Sequence, residues 1–182
     1  MKVKLIIGLG NPGKEYEKTY HNVGFLAVDY LIALSSREKR NNPKKIEIAT
    51  VAYSDLAMAP LLKSDAYMNQ SGNFVKTALK KYKAKPDEIL IVHDDSDIEL
   101  GKYKISFGRG SAGHKGVQSI IDTIKTKNFW RLRIGIGQTT NGKQTTTRIK
   151  AIDLVLKKIN KNDLIIFEKI FKIIQREALL QN

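Results

Sequence analysis

The chain has 182 residues, which fits one domain at about 150 residues each, and its 32 Lys and Arg against 18 Asp and Glu leave a formal charge of +14. With 42% hydrophobic residues it carries enough apolar material for a packed core, which excludes a disordered basic tail. The cationic excess points to a polyanionic partner, either nucleic acid or an anionic membrane surface, and the absence of cysteine excludes disulfides, thiolate nucleophiles and Cys-ligated metal.

Lys2–Gly8 is a short apolar run closed by glycine, the pattern of a buried strand. It is too short for a secretory signal, and no run reaches the roughly 20 apolar residues of a membrane span. A soluble, cytoplasmic protein is expected. Gly10–Tyr20 is turn-rich, and Asn22 is placed to cap a helix carrying Phe25, Leu26, Val28, Leu31, Ile32 and Leu34 at helical spacing. Ser35–Lys45, with Pro43, reads as a basic connection. Ile46–Tyr53 and Met58–Lys63 read as strands joined at Ser54-Asp55. Ser71–Lys83 is an amphipathic helix, with Phe74, Val75, Ala78, Leu79 and Tyr82 on its apolar side.

Glu88–His93 is the clearest buried strand, expected to deliver Asp94 and Asp95 at its C-terminal end. Lys102–Phe107 is a further strand, followed by a glycine-rich loop, Gly108–Gly116, and a helix over Val117–Lys125. Trp130–Gly137 alternates as a strand, Gln138–Thr147 reads as a mobile loop, and Ile152–Ile159 and Asp163–Leu180 as helices. The alternation predicts a single α/β domain over residues 1–182, a layer sandwich with a twisted mixed, mostly parallel sheet flanked by helices. Sites in such sheets lie beyond the C-terminal strand ends, which gathers the segments after Ile7, Lys63, Val92 and Phe107.

Gly8–Gly13 and Gly108–Gly113 both match G-x-G-x-x-G. Dinucleotide binding needs a helix to begin inside the loop, so that its N-terminus meets the pyrophosphate. After Gly13 helical periodicity starts only at Val23, Pro12 intrudes, and Asp29 falls inside a helix rather than at the end of a second strand. Both loops therefore read as tight turns that let backbone approach a ligand.

The only histidines are His21, His93 and His114. His93, within an apolar strand, is expected to be a buried, hydrogen-bonded side chain. Asp94, Asp95 and Asp97 cluster nearby, and Asn11, Asn22, Asn69 and Asn73 fall near the same predicted edge. One chemistry for this set is a metal site, although no histidine spacing of metal-binding type supports it. The other is metal-free hydrolysis, with a histidine base, an orienting aspartate and amide donors for an oxyanion. Composition and spacing stop there, at a basic α/β hydrolase or a nucleic-acid-binding domain.

Five segments add more in their order: Leu5–Phe25 (LIIGLGNPGKEYEKTYHNVGF), Tyr67–Gly72 (YMNQSG), Ile91–Asp97 (IVHDDSD), Gly113–Gly116 (GHKG) and Arg131–Gly137 (RLRIGIG). Together, as far as about Leu156, they closely resemble bacterial-type peptidyl-tRNA hydrolase. The resemblance implies a monomeric enzyme without metal or organic cofactor and without a membrane partner. Its substrate would be peptidyl-tRNA released prematurely by ribosomes, cleaved at the ester between peptide and 3′-terminal ribose so that tRNA is recycled. It further implies His21 as the base that activates water, Asp94 as its orienting carboxylate and Asn11 as an oxyanion donor. Asn69 would bond the peptide or terminal nucleotide, and Tyr16 and Tyr67 would contact the tRNA end. A non-enzymatic RNA-binding relative of the same fold is the alternative.

Three positions depart from the family pattern. Tyr20 stands where a basic residue usually precedes the histidine, and Lys115 where the family has asparagine. An ammonium only donates, whereas asparagine also accepts, so Lys115 suits an oxyanion or a phosphate, and it could also compete for Asp94. Ser106 replaces a lysine of the family's clamp for the tRNA 5′-phosphate and leaves Arg133 as its other half. Lys102 and Lys104 are the neighbouring cations, expected on the opposite strand face. Arg109 and Arg133 are expected to meet tRNA backbone phosphates.

Overall fold

In the computed structural model, which describes residues 3–41, 59–140, 143–144 and 148–180, five strands form one sheet. They are β1 (Leu5–Gly8), β2 (Leu61–Lys63), β3 (Ile89–Glu99), β4 (Tyr103–Phe107) and β5 (Trp130–Gly137), in the order β2-β1-β3-β5-β4. All neighbours are parallel except β4, which runs antiparallel to β5. The helices are α1 (Val23–Asn41), α2 (Ser71–Lys81), α3 (Lys115–Ile124), α4 (Arg148–Val155) and α5 (Lys161–Leu180). Among the described residues no helix is long and apolar enough to cross a membrane.

The two-residue period of a strand divides the core into two layers. Ile6, Leu90, Val92, Leu132 and Ile134 point to one face and bury Val23, Ala27, Val28 and Leu31 of α1 with Phe167, Ile170 and Phe171 of α5. Leu5, Ile7, Ile89 and Ile91 point to the other, against Val75 and Ala78 of α2 and Val117 and Ile120 of α3. The expected α/β sandwich with a mostly parallel sheet is what forms. Strand order reverses between β1 and β3, which pair with each other while their next neighbours lie on opposite sides. A crevice opens at such a switch point.

Several boundaries differ from expectation. α1 runs through much of the supposed basic connection, since Ser35–Arg40 is rich in good helix formers and Pro43 comes only after the helix ends. The expected strand Ile46–Tyr53 lies outside the described residues. β3 does not stop at His93 but continues to Glu99, so Asp94 and Asp95 are strand residues, paired with Ile134 and Gly135 of β5. Where a mobile loop was expected after Gly137, two short strands pair, β6 (Thr139–Thr140) and β7 (Lys143–Gln144). α4 sits four residues earlier than Ile152–Ile159, because Ile159 gives its backbone N–H to Lys18 instead of a helical turn.

One close approach sets α1 on the sheet. A Cβ on Gly24 would lie 2.4 Å from the Val92 carbonyl oxygen and 2.6 Å from that of Leu9. Both obstacles are backbone, so neither can rotate away. Gly24→Ala is expected to cost about 1–3 kcal/mol or more through overpacking, read as a lower urea midpoint. An unchanged midpoint would mean that α1 does not depend on this contact.

Candidate functional site

The crevice is a cleft of about 410 Å³. Asn11, from the loop after β1, and His21 line one side, with Met68 and Asn69 beside them. Asp94 and Asp95 of β3 form the floor. Ser111–Lys115 and the α4 residues Ala151, Ile152 and Val155 complete the wall.

Asp94 is the centre of its polar network. The carboxylate is 2% exposed, and one oxygen, Oδ1, receives both His21 Nδ1 at 2.8 Å and His114 Nε2 at 2.9 Å. Burial works against its charge, but the two imidazoles outweigh burial and hold Asp94 well below the usual carboxylate range. An ionised carboxylate only accepts, so each facing nitrogen carries a proton. His114 is thereby fixed at both ends. Its Nδ1 is the acceptor left, and it takes the Val117 N–H at 3.2 Å as the N-cap of α3. Neither of its nitrogens is spare.

His21 differs because its Nε2 has no such bond among the described residues and the ring lines the cleft. His93 cannot reach the cleft. It is fully buried, its Nδ1 bonds the Asp94 carbonyl oxygen at 2.6 Å, and its Nε2 has no partner. Burial above all pushes its pKa well below the ordinary value. The expectation of a buried, hydrogen-bonded side chain is met, through Nδ1 alone.

Asn11 is oriented through its other end. Its Oδ1 accepts the Met68 N–H at 2.8 Å, which leaves the NH2 group to the cleft. Its backbone is held by Asn22, whose Oδ1 takes the Asn11 N–H and whose Nδ2 reaches the Asn11 carbonyl. Asn22, expected as a helix cap, therefore uses its side chain to tie the two loops of the site together. Tyr67 is half exposed at the rim and meets Tyr16 edge-on at 6.3 Å. Asn73, on α2, does not line the cleft. Lys115 is exposed at the first turn of α3, and the partners of Asp94 are the two histidines rather than this lysine.

A second, more open cavity of about 570 Å³ lies beside the cleft, lined by Lys104, Ser106, Arg109, Arg131 and Arg133. The expectation that Lys104 sits across the strand from Ser106 is wrong, because residues two apart share a face. Lys104 pairs with Arg133 and Ser106 with Arg131 across the β4–β5 ladder. Arg133 is not wholly available, as its Nε donates to Asp95 Oδ2 at 2.7 Å. Arg131 is buried with its Nε unpartnered.

The three residues His21, Asp94 and His114 put possible ligand atoms within 4.8 Å of one another, although their sequence spacing gives no metal signature. In the hydrogen-bonded arrangement the two nitrogens facing Asp94 present protons, and a cation there would have to displace both. His114 is the site residue that sequence reasoning left without a role. The available signals were the small number of histidines and its place in GHKG.

A family model described as Peptidyl-tRNA hydrolase matches residues 5–180. The chain is 39% identical over 168 residues to a protein named peptidyl-tRNA hydrolase from Persephonella marina, covering 92% of this chain and 85% of that protein. It is 45% identical over 138 residues to one of the same name from Aquifex aeolicus, covering 76% and 71%. The crystal structure of peptidyl-tRNA hydrolase from Acinetobacter baumannii superposes with a TM-score of 0.77 at 31% identity, covering 98% of this chain and 88% of that one.

His93 generates a pH prediction. Its folded pKa lies below the ordinary 6.5, so the unfolded chain takes up a proton that the folded one refuses. Stability is then fully present above that value and falls as pH drops through it, by up to about 1.4 kcal/mol per pH unit. The urea midpoint should fall between pH 7.5 and pH 5.5, and less steeply in His93→Gln. Parallel pH dependence in the two proteins would remove this assignment.

Proposed function

The chain belongs to the peptidyl-tRNA hydrolase family, and we propose that it works by histidine-assisted attack of water on the substrate ester, without help from a metal. The reaction itself is hydrolysis of the ester bond that joins peptide to tRNA in peptidyl-tRNA. His21 Nε2 takes a proton from the attacking water. Asp94 holds the other ring nitrogen, fixes the tautomer and favours the imidazolium as the proton arrives. The carrying observation is the 2.8 Å bond from His21 Nδ1 to an ionised Asp94, with the opposite nitrogen left to the cleft.

The Asn11 amide, turned by Met68, donates to the carbonyl oxygen as it gains charge. Asn69 bonds the peptide or the terminal nucleotide, and Tyr16 and Tyr67 offer aromatic faces to the tRNA end, each worth about 1–3 kcal/mol per stacked base. His114 steadies Asp94 without exchanging protons, since both its nitrogens are engaged. The acceptor-stem backbone meets the second cavity, where Lys104, Arg109, Arg131 and Arg133 stand together. The enzyme acts as a monomer in the cytoplasm and recycles tRNA there. The non-enzymatic alternative loses its support, because the matched relatives are hydrolases by name.

His21→Ala is expected to lower cleavage of an N-acetyl-aminoacyl-tRNA by about 10²–10⁴-fold, while tRNA affinity stays within a few-fold. Release of deacylated tRNA at the normal rate would reject this base. For Lys115, an exposed ammonium on the cleft wall, Lys115→Asn should keep or raise turnover and Lys115→Ala should lower it. If Ala matches the parent protein in a single-turnover assay, the lysine takes no part.

A further inference from the structure

Tyr20 and His21 are neighbours in the 3-10 turn Tyr20–Asn22, and their side chains leave it for different places. His21 goes to the cleft. Tyr20 is 4% exposed, packs edge-on against Phe167 of α5 at 6.3 Å, and donates its hydroxyl to Asp163 Oδ2 at 2.5 Å. Asp163 stands in the first turn of α5, where the helix dipole favours a carboxylate. Its backbone N–H is held by Asn160 Oδ1 at 2.9 Å, and Asn160 Nδ2 also reaches the Tyr20 oxygen.

The chain just before α5 grips the same loop through its backbone. Tyr20 N–H donates to Lys157 O, and Ile159 N–H to Lys18 O, around a bridge between Thr19 and Lys158. Lys158 Nζ reaches the carbonyl oxygens of Glu15 and Glu17, both at 2.7 Å. These bonds set the height of the loop, but they end at Tyr20. Beyond it, the turn that carries His21 is held inward by the Tyr20 hydroxyl, outward by Asp94, and at its far end by Asn22 on the Asn11 backbone, so the Tyr20 hydroxyl is its only anchor on the α5 side among the described residues. We propose that Tyr20 and Asp163 form a positioning pair that aims His21 at Asp94. Burial, reinforced by Asp163, keeps the phenol protonated and donating. The pair occupies the position at which the resemblance leads one to expect a cation, and a neutral donor there lets the carboxylate be buried without a second full charge.

This inference rests on the reading of His21 as the base, and the experiment separates the two. Tyr20→Phe keeps the ring on Phe167 and removes only the hydroxyl. Its kcat should fall about 10-fold, as expected of a small misplacement of a catalytic group, with KM within two-fold. The downfield His21 Nδ1–H proton resonance should broaden or shift in the same variant. Asp163→Ala should act in the same direction, and the double variant should be no slower than the worse single one. Val75→Ala, in the opposite core layer and away from the cleft, supplies a comparable loss of melting temperature and should leave kcat and the resonance unchanged.

If His21→Ala is inactive but Tyr20→Phe keeps the parent kcat and resonance, the positioning role is overturned and the base stands. A Val75→Ala variant with the same loss of kcat at equal stability would also overturn it, because the effect would then be general loosening. If His21→Ala remains active, the base assignment itself fails, whatever Tyr20→Phe does.

Discussion

A carboxylate inside a β-sheet loses its water, and that loss is tolerable only when donors replace the water. Asp94 has two, the Nδ1 of His21 and the Nε2 of His114, on a single oxygen. Much of the site follows from this requirement. The two bonds fix both tautomers, leave one imidazole nitrogen open to the cleft, and commit the other ring to capping α3. They also explain how β3 continues past His93. Asp95 is likewise matched, by Arg133 and by the Asp97 N–H, so two acidic residues stay in the ladder instead of ending it.

The apolar architecture was legible because it is written locally. Ile6, Leu90 and Val92 alternate with Leu5, Ile7, Ile89 and Ile91, and that alternation alone separates the two core layers. The proposed catalytic set was legible only through motif resemblance, since nothing local links His21 to a carboxylate 73 positions away. The roles of His114 and Asn22 stayed hidden for the same reason. His114 spends Nε2, and Asn22 both polar atoms of its side chain, on segments that come close only after folding, and propensity rules see a glycine-loop residue and a helix cap instead. α4 was misplaced by a similar non-local competition, in which Lys18 takes the backbone donor of Ile159.

Part of the charge of +14 acquires a location. On the β4–β5 ladder Lys104 stands opposite Arg133, and Ser106 opposite the buried Arg131. Like charges directly across an antiparallel pair repel, and Arg131 has a buried N–H without an acceptor. Among the described residues one carboxylate, Asp95, answers this cluster. A surface assembled against its own electrostatics in this way is complementary to an anion, and the phosphate backbone supplies many. The serine at position 106 removes one cation from the cluster but does not empty it, because Lys104 shares its face.

Asp95 also connects the two cavities. It lines the cleft and holds the Nε of Arg133, which lines the basic cavity, at 2.7 Å. The distance between the cleft floor and the cation cluster is therefore set within one sheet, by adjacent strands whose registry is fixed from Leu90 to Asp95. Lys115 sits on the remaining edge, a cation at the positive end of the α3 dipole. That placement is unfavourable by about 0.3–1 kcal/mol unless an anion answers both. A cation cluster on the sheet and a lysine at the start of α3 together favour a ligand that is anionic at both places. A nucleic-acid end meets that description better than a free peptide, whose charges are few.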